Sequence, residues 1–202
     1  MTISVGIYVF PDVEVLDFAG PYEVFTTASR VFARQHAESV SPFSVFTIAH
    51  NPASLTARAG LSVLPDYDFA QAPLIDVLIV PGGVVTMELE KPELIDWLRQ
   101  SASHAQVTAS ICTGAFLLAK AGLLNGKRAT THWEDIADLR RSFPTVQVVE
   151  NRRWVDEGKV LTSGGISAGI DMSLHLVARL AGRQLAEQTA RQMEFRWDET
   201  AD

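Results

Sequence analysis

Cysteine is almost absent from this sequence: Cys112 is the only one among 202 residues. A single cysteine excludes a disulfide bond within the chain and favours a reducing compartment. The sequence also lacks any apolar run long enough to span a bilayer. Its N-terminus reads as a strand and has neither the basic region nor the long apolar core of a signal peptide. The sequence therefore predicts a cytoplasmic protein with no membrane partner.

Positive charge is also scarce. Lysine and arginine number 17 against 24 aspartate and glutamate residues, which gives a net charge of -7. No cluster of basic residues offsets this balance, so nucleic acid is not the expected partner. No histidine and carboxylate cluster has metal-ligand spacing, and Gly82-Gly83 belongs to no dinucleotide or P-loop pattern. The sequence thus predicts no metal ion and no cofactor.

Segments of strand type alternate with helical segments along the chain, without linkers or internal repeats. Hydrophobic residues make up 47% and charged residues 20%, as in a globular protein with one sizeable core. This alternation predicts an α/β fold, a flavodoxin-like sandwich whose mostly parallel sheet carries helices on both faces. We expect a single domain over residues 1–202 and no DNA-binding domain. The expected strands include residues 3–10, 43–49, 75–80 and 107–111.

Two helix boundaries are predicted from proline and glycine. Pro21 is expected near the first position of a helix that ends close to Arg34, with Asp17 in the loop before it. Gly182 is expected to interrupt a long helical region over residues 168–197.

Cys112 follows the buried-strand segment Val107–Ile111 directly, and an apolar helical segment over residues 115–121 comes next. A side chain at such a strand-to-helix corner is held out at the carboxyl edge of the sheet, as in a nucleophile elbow. The amides and dipole of the following helix favour thiolate over thiol. The alternative is that Cys112 is a small core residue.

Other loops are expected at the same carboxyl edge, where ligands bind in such sheets. The amides of Gly83 and Thr113 are candidates for holding a developing negative charge beside the sulfur. The alternative for Gly83 is an ordinary glycine turn at a strand end. Gly165 and Ile166 belong to a further loop of this edge and are candidate substrate-binding residues.

Asp17 is the candidate proton carrier. A protonated Asp17 would donate a hydrogen bond to a thiolate, whereas an ionised Asp17 would raise the pKa of Cys112, so the two groups would titrate as a pair. The alternative is that Asp17 caps the following helix. His132 is the one plausible histidine partner of the sulfur, or else a structural residue at a strand end. Its neighbour Trp133 is a candidate pocket wall.

Four segments carry a resemblance to a known family: residues 80–83, 109–114, 126–133 and 161–171. Together they resemble the ThiJ/PfpI superfamily, which shares the class I glutamine amidotransferase-like fold. Within it, residues 16–21 are similar to the isocyanide hydratase segment that carries the catalytic aspartate. The resemblance implies that Cys112 is the nucleophile, that Asp17 is its acid, and that the protein forms a homodimer.

The resemblance also narrows the chemistry. Thr113 stands where PfpI-type proteases have a catalytic histidine, which argues against peptidase activity. Deglycase and glyoxalase relatives use a glutamate near the cysteine, and Glu23 is the candidate for that role. Asp17 matches the catalytic aspartate of the isocyanide hydratase segment better than Glu23 matches that glutamate. The implied reaction is hydration of an isocyanide to an N-substituted formamide through a cysteine thioimidate, without a cofactor.

Three functions therefore stay open, besides a redox-sensor role in which a Cys112 thiolate oxidises to sulfenic acid. The first is a cysteine-dependent hydratase of the lyase class that acts on a small-molecule electrophile, with an isocyanide as the named candidate. The second is a non-catalytic small-molecule sensor related to the ligand-binding halves of AraC-type regulators. The third is glyoxalase or deglycase detoxification.

Overall fold

The computed structural model describes residues 1–36 and 39–199. Its helices are α1 (Val15–Gln35), α2 (Pro92–His104), α3 (Gly114–Lys120), α4 (Ile136–Ser142), α5 (Ala168–Ala181) and α6 (Arg183–Gln192). Its strands are β1 (Ile3–Tyr8), β2 (Phe43–Ala49), β3 (Leu55–Thr56), β4 (Ser62–Val63), β5 (Tyr67–Asp68), β6 (Val77–Val80), β7 (Val107–Ile111), β8 (Arg128–Ala129), β9 (Gln147–Val148), β10 (Trp154–Asp156) and β11 (Val160–Ser163).

A seven-stranded sheet with the order β10-β11-β7-β6-β1-β2-β5 forms the centre of the fold. All of its pairings are parallel except that of β10 with β11. Every residue of β6 and β7 is buried, as expected for central parallel strands covered on both faces. The prediction of a mostly parallel α/β sheet is confirmed.

The helices lie on both faces of this sheet because the chain leaves its central strands in opposite directions. The connection from β1 through α1 leads to β2 on one side, and the connection from β6 through α2 leads to β7 on the other. Right-handed crossovers that run in opposite directions place their helices on opposite faces. Accordingly, α1 packs against α5 and α6, whereas α2 packs against α3. Within the described ranges, no helix combines the length and apolarity needed to cross a membrane.

The start of α1 differs from the prediction. The helix begins at Val15, so Asp17 lies in its first turn rather than in a loop, and Pro21 lies inside the helix. Pro21 has no amide hydrogen to donate to the Asp17 carbonyl, so one hydrogen bond of the helix is lost. Proline is normally avoided after the first turn of a helix for this reason. Burial of the apolar side chains of Phe18, Pro21 and Val24 against the core offsets that cost. The predicted interruption at Gly182 is confirmed, since this residue separates α5 from α6 with a φ of 101°.

The corner between β7 and α3 is pressed against the end of β6 at Gly114. A Cβ added there would overlap the carbonyl oxygen of Val80 and lie 2.8 Å from that of Pro81. Only glycine allows this approach of two backbones.

We therefore predict that Gly114→Ala destabilises the protein, although alanine is the better helix former. Overpacking against fixed backbone atoms costs about 1–3 kcal/mol, whereas helix propensity alone would gain about 1 kcal/mol. Urea unfolding measures the difference. A Gly114→Ala midpoint at or above that of the unmodified protein would contradict the prediction.

Candidate active site

Three neighbouring strands deliver the predicted residues to one place. The carboxyl ends of β1, β6 and β7 lead to Asp17, to Gly82-Gly83 and to Cys112. The chain leaves β1 and β6 in opposite directions, and such a reversal opens a crevice for ligands at the carboxyl edge. A cleft of about 700 Å³ lies there. Of the predicted site residues, those lining it are Gly83, Cys112, Thr113, His132 and Ile166.

Cys112 occupies the sharp corner that the sequence predicts. Its φ of 54° is a left-handed conformation, which is uncommon for a residue other than glycine and costs free energy. The surrounding loops hold this conformation in place. The Cys112 amide donates to the carbonyls of Ser163 and Gly164, both at 3.2 Å, and the Thr131 hydroxyl donates to the Cys112 carbonyl at 2.8 Å. The residue is 8% exposed, and it lines the cleft.

Asp17 is fully buried beside this corner. Its Oδ2 accepts the Gly82 amide at 3.0 Å, so it serves the neighbouring strand end and does not cap its own helix. Its Oδ1 is buried and has no partner of ordinary hydrogen-bond geometry in the described part of the chain. The Cys112 thiol and the Ile166 amide nevertheless lie close enough to lower the pKa of the carboxyl. Burial outweighs these contacts and raises the pKa of Asp17 to about 7.

The thiol of Cys112 is protonated at neutral pH in the free protein. Burial, and next the charge of Asp17, raise its pKa to about 12, against the smaller opposing effects of the Thr113 amide and hydroxyl. The expectation that the helix N-terminus favours thiolate over thiol is therefore wrong. Helix α3 is only 7 residues long, and its amides offset little of the cost of removing a thiolate from water. A nucleophile can form here only if the thiol proton moves to another group.

The Gly83 amide does not face the sulfur as expected. It donates to the Thr113 hydroxyl at 2.9 Å, and that hydroxyl donates back to the Gly83 carbonyl at 2.9 Å. The two predicted donors are thus not assembled beside Cys112, because one of them is already paired with the side chain of the other residue. The Thr113 amide alone faces the sulfur, where it favours the thiolate form.

The remaining predicted residues fall in different places. His132 packs directly on Gly165, where an added Cβ would lie 3.0 Å from Nε2 of the ring. Ile166 is 38% exposed at the cleft and has a φ of 53°. Trp133 is 76% exposed and lies in a neighbouring groove that includes Arg153, so the structure does not bring it into the cleft.

Several charged residues of the cleft were missed by sequence reasoning. Glu14 and Arg58 line it and form an ion pair at 3.5 Å, and Glu134 and Asp135 line it beside His132. Only Glu134 and Asp135 carried a signal, because they lie within three residues of His132. Among residues 1–36 and 39–199, no group of three or more histidine, cysteine or acidic side chains is arranged to hold a metal ion.

The chain is similar to known proteins over most of its length. The profile of the DJ-1/PfpI family matches residues 3–179. An isonitrile hydratase from Pseudomonas putida is 35% identical over 196 residues, which are 96% of this chain and 79% of that protein. The crystal structure of a THiJ/PfpI family protein from Pseudomonas syringae superimposes with a TM-score of 0.84 at 25% identity, over 100% of this chain and 78% of the other.

Regulators are also among the similar proteins. The HTH-type transcriptional regulator GbdR of Pseudomonas aeruginosa is 30% identical over 183 residues, 91% of this chain. This match spans 48% of the regulator, so the chain corresponds to about half of it.

The raised pKa of Asp17 predicts a pH dependence of stability. The unfolded chain ionises this carboxyl near 3.8, whereas the folded protein retains the proton up to about pH 7. Stability from Asp17 is thus fully present below pH 3.8 and is lost as pH rises through 7, by at most about 1.4 kcal/mol per pH unit. Compared with Asp17→Asn, the unmodified protein should therefore lose unfolding free energy as pH rises from about 4 to about 7.

Urea unfolding of both proteins over this pH range measures the difference. Asp96→Asn, which removes a carboxylate that is 73% exposed, is the matched control and should show no such trend. A difference between the unmodified protein and Asp17→Asn that stays constant with pH would contradict the raised pKa.

Proposed function

The chain belongs to the DJ-1/PfpI family, and we propose that it hydrates an isocyanide through Cys112 and Asp17, as an enzyme of the isonitrile hydratase type. The observation that carries this proposal is the buried Asp17 carboxyl, which lies next to the Cys112 thiol. The carboxyl has a pKa of about 7, and the thiol needs a proton acceptor before it can act as a nucleophile. A carboxylate with this pKa is both a stronger base and a more available acid at neutral pH than an ordinary aspartate. The similarity to an isonitrile hydratase supports the same chemistry.

The first half-reaction uses the thiol and the carboxyl together. The sulfur of Cys112 attacks the terminal carbon of R–N≡C, and an S–C bond forms. The thiol proton passes to ionised Asp17, and Asp17 delivers it to the same carbon. The product is the thioimidate R–N=CH–S–Cys, and Asp17 returns to its starting charge. Because the proton stays in the buried pair, no free thiolate is needed before the substrate arrives.

The second half-reaction is hydrolysis. Water adds to the thioimidate carbon, one of its protons goes to nitrogen, and the C–S bond then breaks while the hydroxyl proton returns to sulfur. The balance is R–N≡C plus water giving R–NH–CHO, with Cys112 and Asp17 regenerated. The carboxylates of Glu14, Glu134 and Asp135 against Arg58 make the cleft acidic. A neutral isocyanide enters such a cleft more readily than a carboxylate does.

A sensor is the second candidate function. It is favoured by the similarity to the HTH-type regulator GbdR, of which this chain spans 48%. A protein of this kind would bind a small molecule in the same cleft, and the buried Cys112–Asp17 pair would contribute to recognition instead of turnover. Binding without product formation separates the two candidates.

The prediction for the enzyme is conversion of para-nitrophenyl isocyanide to the corresponding formamide, with Cys112 kept reduced. Cys112→Ser should abolish turnover, and Asp17→Asn should lower it by about 10²–10⁴-fold, the usual contribution of a positioned acid–base group. Asp96→Asn is the control that should retain full activity. Product is followed by chromatography.

Unchanged isocyanide would contradict the proposal. Tight binding without turnover would favour the sensor. Lactate formed from methylglyoxal, and lost in Cys112→Ala, would favour glyoxalase detoxification.

A further inference from the structure

Asp171 is a carboxylate that is almost completely buried and that the proposed reaction does not use. It lies in the first turn of α5, where 1% of the residue is exposed. The start of α5 is pressed against the end of β7, since a Cβ added at Gly169 would lie 2.8 Å from the side chain of Ile111. The same helix packs against α1, which carries Asp17. Asp171 therefore lies in the part of α5 that borders the reacting pair.

Both carboxylate oxygens of Asp171 are bonded to distant parts of the chain. Oδ2 accepts Arg153 Nε at 2.7 Å and also accepts Arg153 Nη2. Oδ1 accepts the Asp198 amide at 2.8 Å, and the main-chain carbonyl of Asp171 accepts the Trp197 indole at 3.2 Å. Burial raises the pKa of the Asp171 carboxyl, and the Asp198 amide and Arg153 oppose that effect. Asp171 thus joins the start of α5 to the residue before β10 and to the C-terminal segment.

Arg153 connects Asp171 to the loop beside the reacting pair. Its main-chain carbonyl accepts the Gly164 amide at 2.8 Å, and the Gly164 carbonyl in turn accepts the Cys112 amide at 3.2 Å. The Arg153 guanidinium also donates to the Ser167 hydroxyl at 3.4 Å. Residues 164–167 are therefore held at both ends by Arg153.

Ile166 lies inside this loop and has a strained backbone. Its φ of 53° is left-handed, a conformation that is costly for a β-branched residue and persists only where the surroundings hold it. In this conformation the Ile166 amide lies close enough to Asp17 to lower the pKa of that carboxyl. The amide thus favours the ionised form of Asp17, which accepts the thiol proton.

We propose that Asp171 is a positioning residue of the reacting pair: through Arg153 it holds the loop that presents the Ile166 amide to ionised Asp17. This inference rests on the proposed isocyanide hydration. Without Asp171 the loop relaxes, the amide moves away, and the Asp17 carboxylate loses a donor. Fewer Asp17 side chains are then ionised at neutral pH, so thioimidate formation slows.

The charged groups around Asp17 stay in place when Asp171 is changed. Glu14 precedes Asp17 by three residues, and Cys112 lies across the corner. The other charged or titratable residues that line the cleft are Arg58, His132, Glu134 and Asp135. A change in the titration of Asp17 therefore reports either the Ile166 amide or the charge lost at Asp171, and these two effects have opposite signs.

The test follows the Asp17 carboxyl by carbon-13 NMR as a function of pH, with its resonance identified by its absence from Asp17→Asn. In Asp171→Asn the midpoint should rise above about 7, by on the order of one pH unit for a lost amide donor. Removal of a negative charge alone would lower the midpoint. The pH at which isocyanide turnover reaches half its maximum should rise with the Asp17 midpoint.

Arg179→Gln is the matched control. Arg179 lies in the last turn of α5 and pairs with Asp156 of β10 at 2.8 Å, and its side chain is 31% exposed against 36% for Arg153. The variant therefore removes a comparable ion pair at the other end of the same helix. It should leave the Asp17 midpoint unchanged.

Arg153→Lys keeps the proposal testable if Asp171→Asn does not fold, as judged by circular dichroism. Lysine retains the positive charge, but its single ammonium group does not reproduce the bonds of the guanidinium to Asp171 and Ser167. The Asp17 midpoint should again rise, by less than in Asp171→Asn.

An unchanged or lowered Asp17 midpoint in folded Asp171→Asn, or in Arg153→Lys if the first variant is unfolded, would overturn the proposal. So would an equal rise in Arg179→Gln. These outcomes would leave the hydratase function intact. Failure of that function would look different, because the unmodified protein would leave the isocyanide unchanged while the Asp17 midpoint still rose in Asp171→Asn.

Discussion

Burial of the Asp17 carboxyl against the Cys112 thiol is the constraint on which the site depends. Ionising either group away from water costs free energy. The pKa of Asp17 therefore rises to about 7 and that of Cys112 to about 12. At neutral pH the thiol therefore keeps its proton while the carboxyl is ionised in about half of the molecules, and chemistry begins with transfer of the thiol proton to ionised Asp17. A buried carboxyl is tolerated because the Gly82 amide donates to Oδ2, while Oδ1 lies beside the sulfur and has no partner of ordinary geometry among residues 1–36 and 39–199. That unsatisfied oxygen destabilises the resting protein and equips it to accept the thiol proton.

The ends of the sheet strands fix the positions of Asp17 and Cys112 relative to each other. Gly82 donates its amide to Asp17 and accepts the Glu14 amide at 2.9 Å, so the start of α1 and the end of β6 are fastened together. The left-handed Cys112 is held by the carbonyls of Ser163 and Gly164 at the end of β11. Each reacting group is thus positioned by the end of a buried parallel strand, which moves less than a free loop. The chain is similar both to an isonitrile hydratase and to a transcriptional regulator, so activity depends on the groups in the cleft and not on the fold alone.

Sequence reasoning recovered the sheet and the corner at Cys112 because both leave local signals. A buried strand reads as an apolar run, and an apolar helix follows the corner. The start of α1 was missed because proline normally opens helices, and only tertiary burial shows that Pro21 lies inside one. The thiol pKa was missed for a similar reason, since the effect of a short helix is local whereas the cost of burial depends on the whole cleft. The hydrogen bond from the Gly83 amide to the Thr113 hydroxyl is likewise visible only in the three-dimensional structure. No sequence pattern shows which of several nearby acceptors an amide will bond to.

The central claim is that Asp17 and Cys112 form one proton-sharing pair in which burial keeps the thiol neutral. Titration of the ultraviolet absorbance of the thiolate tests it most directly, in the unmodified protein and in Asp17→Asn. The account predicts a thiol pKa far above the ordinary 9.0, and a lower value in Asp17→Asn, because the negative charge that opposes ionisation is gone. A thiol that ionises at or below 9.0 in the unmodified protein, or whose pKa is unchanged by Asp17→Asn, would contradict the account.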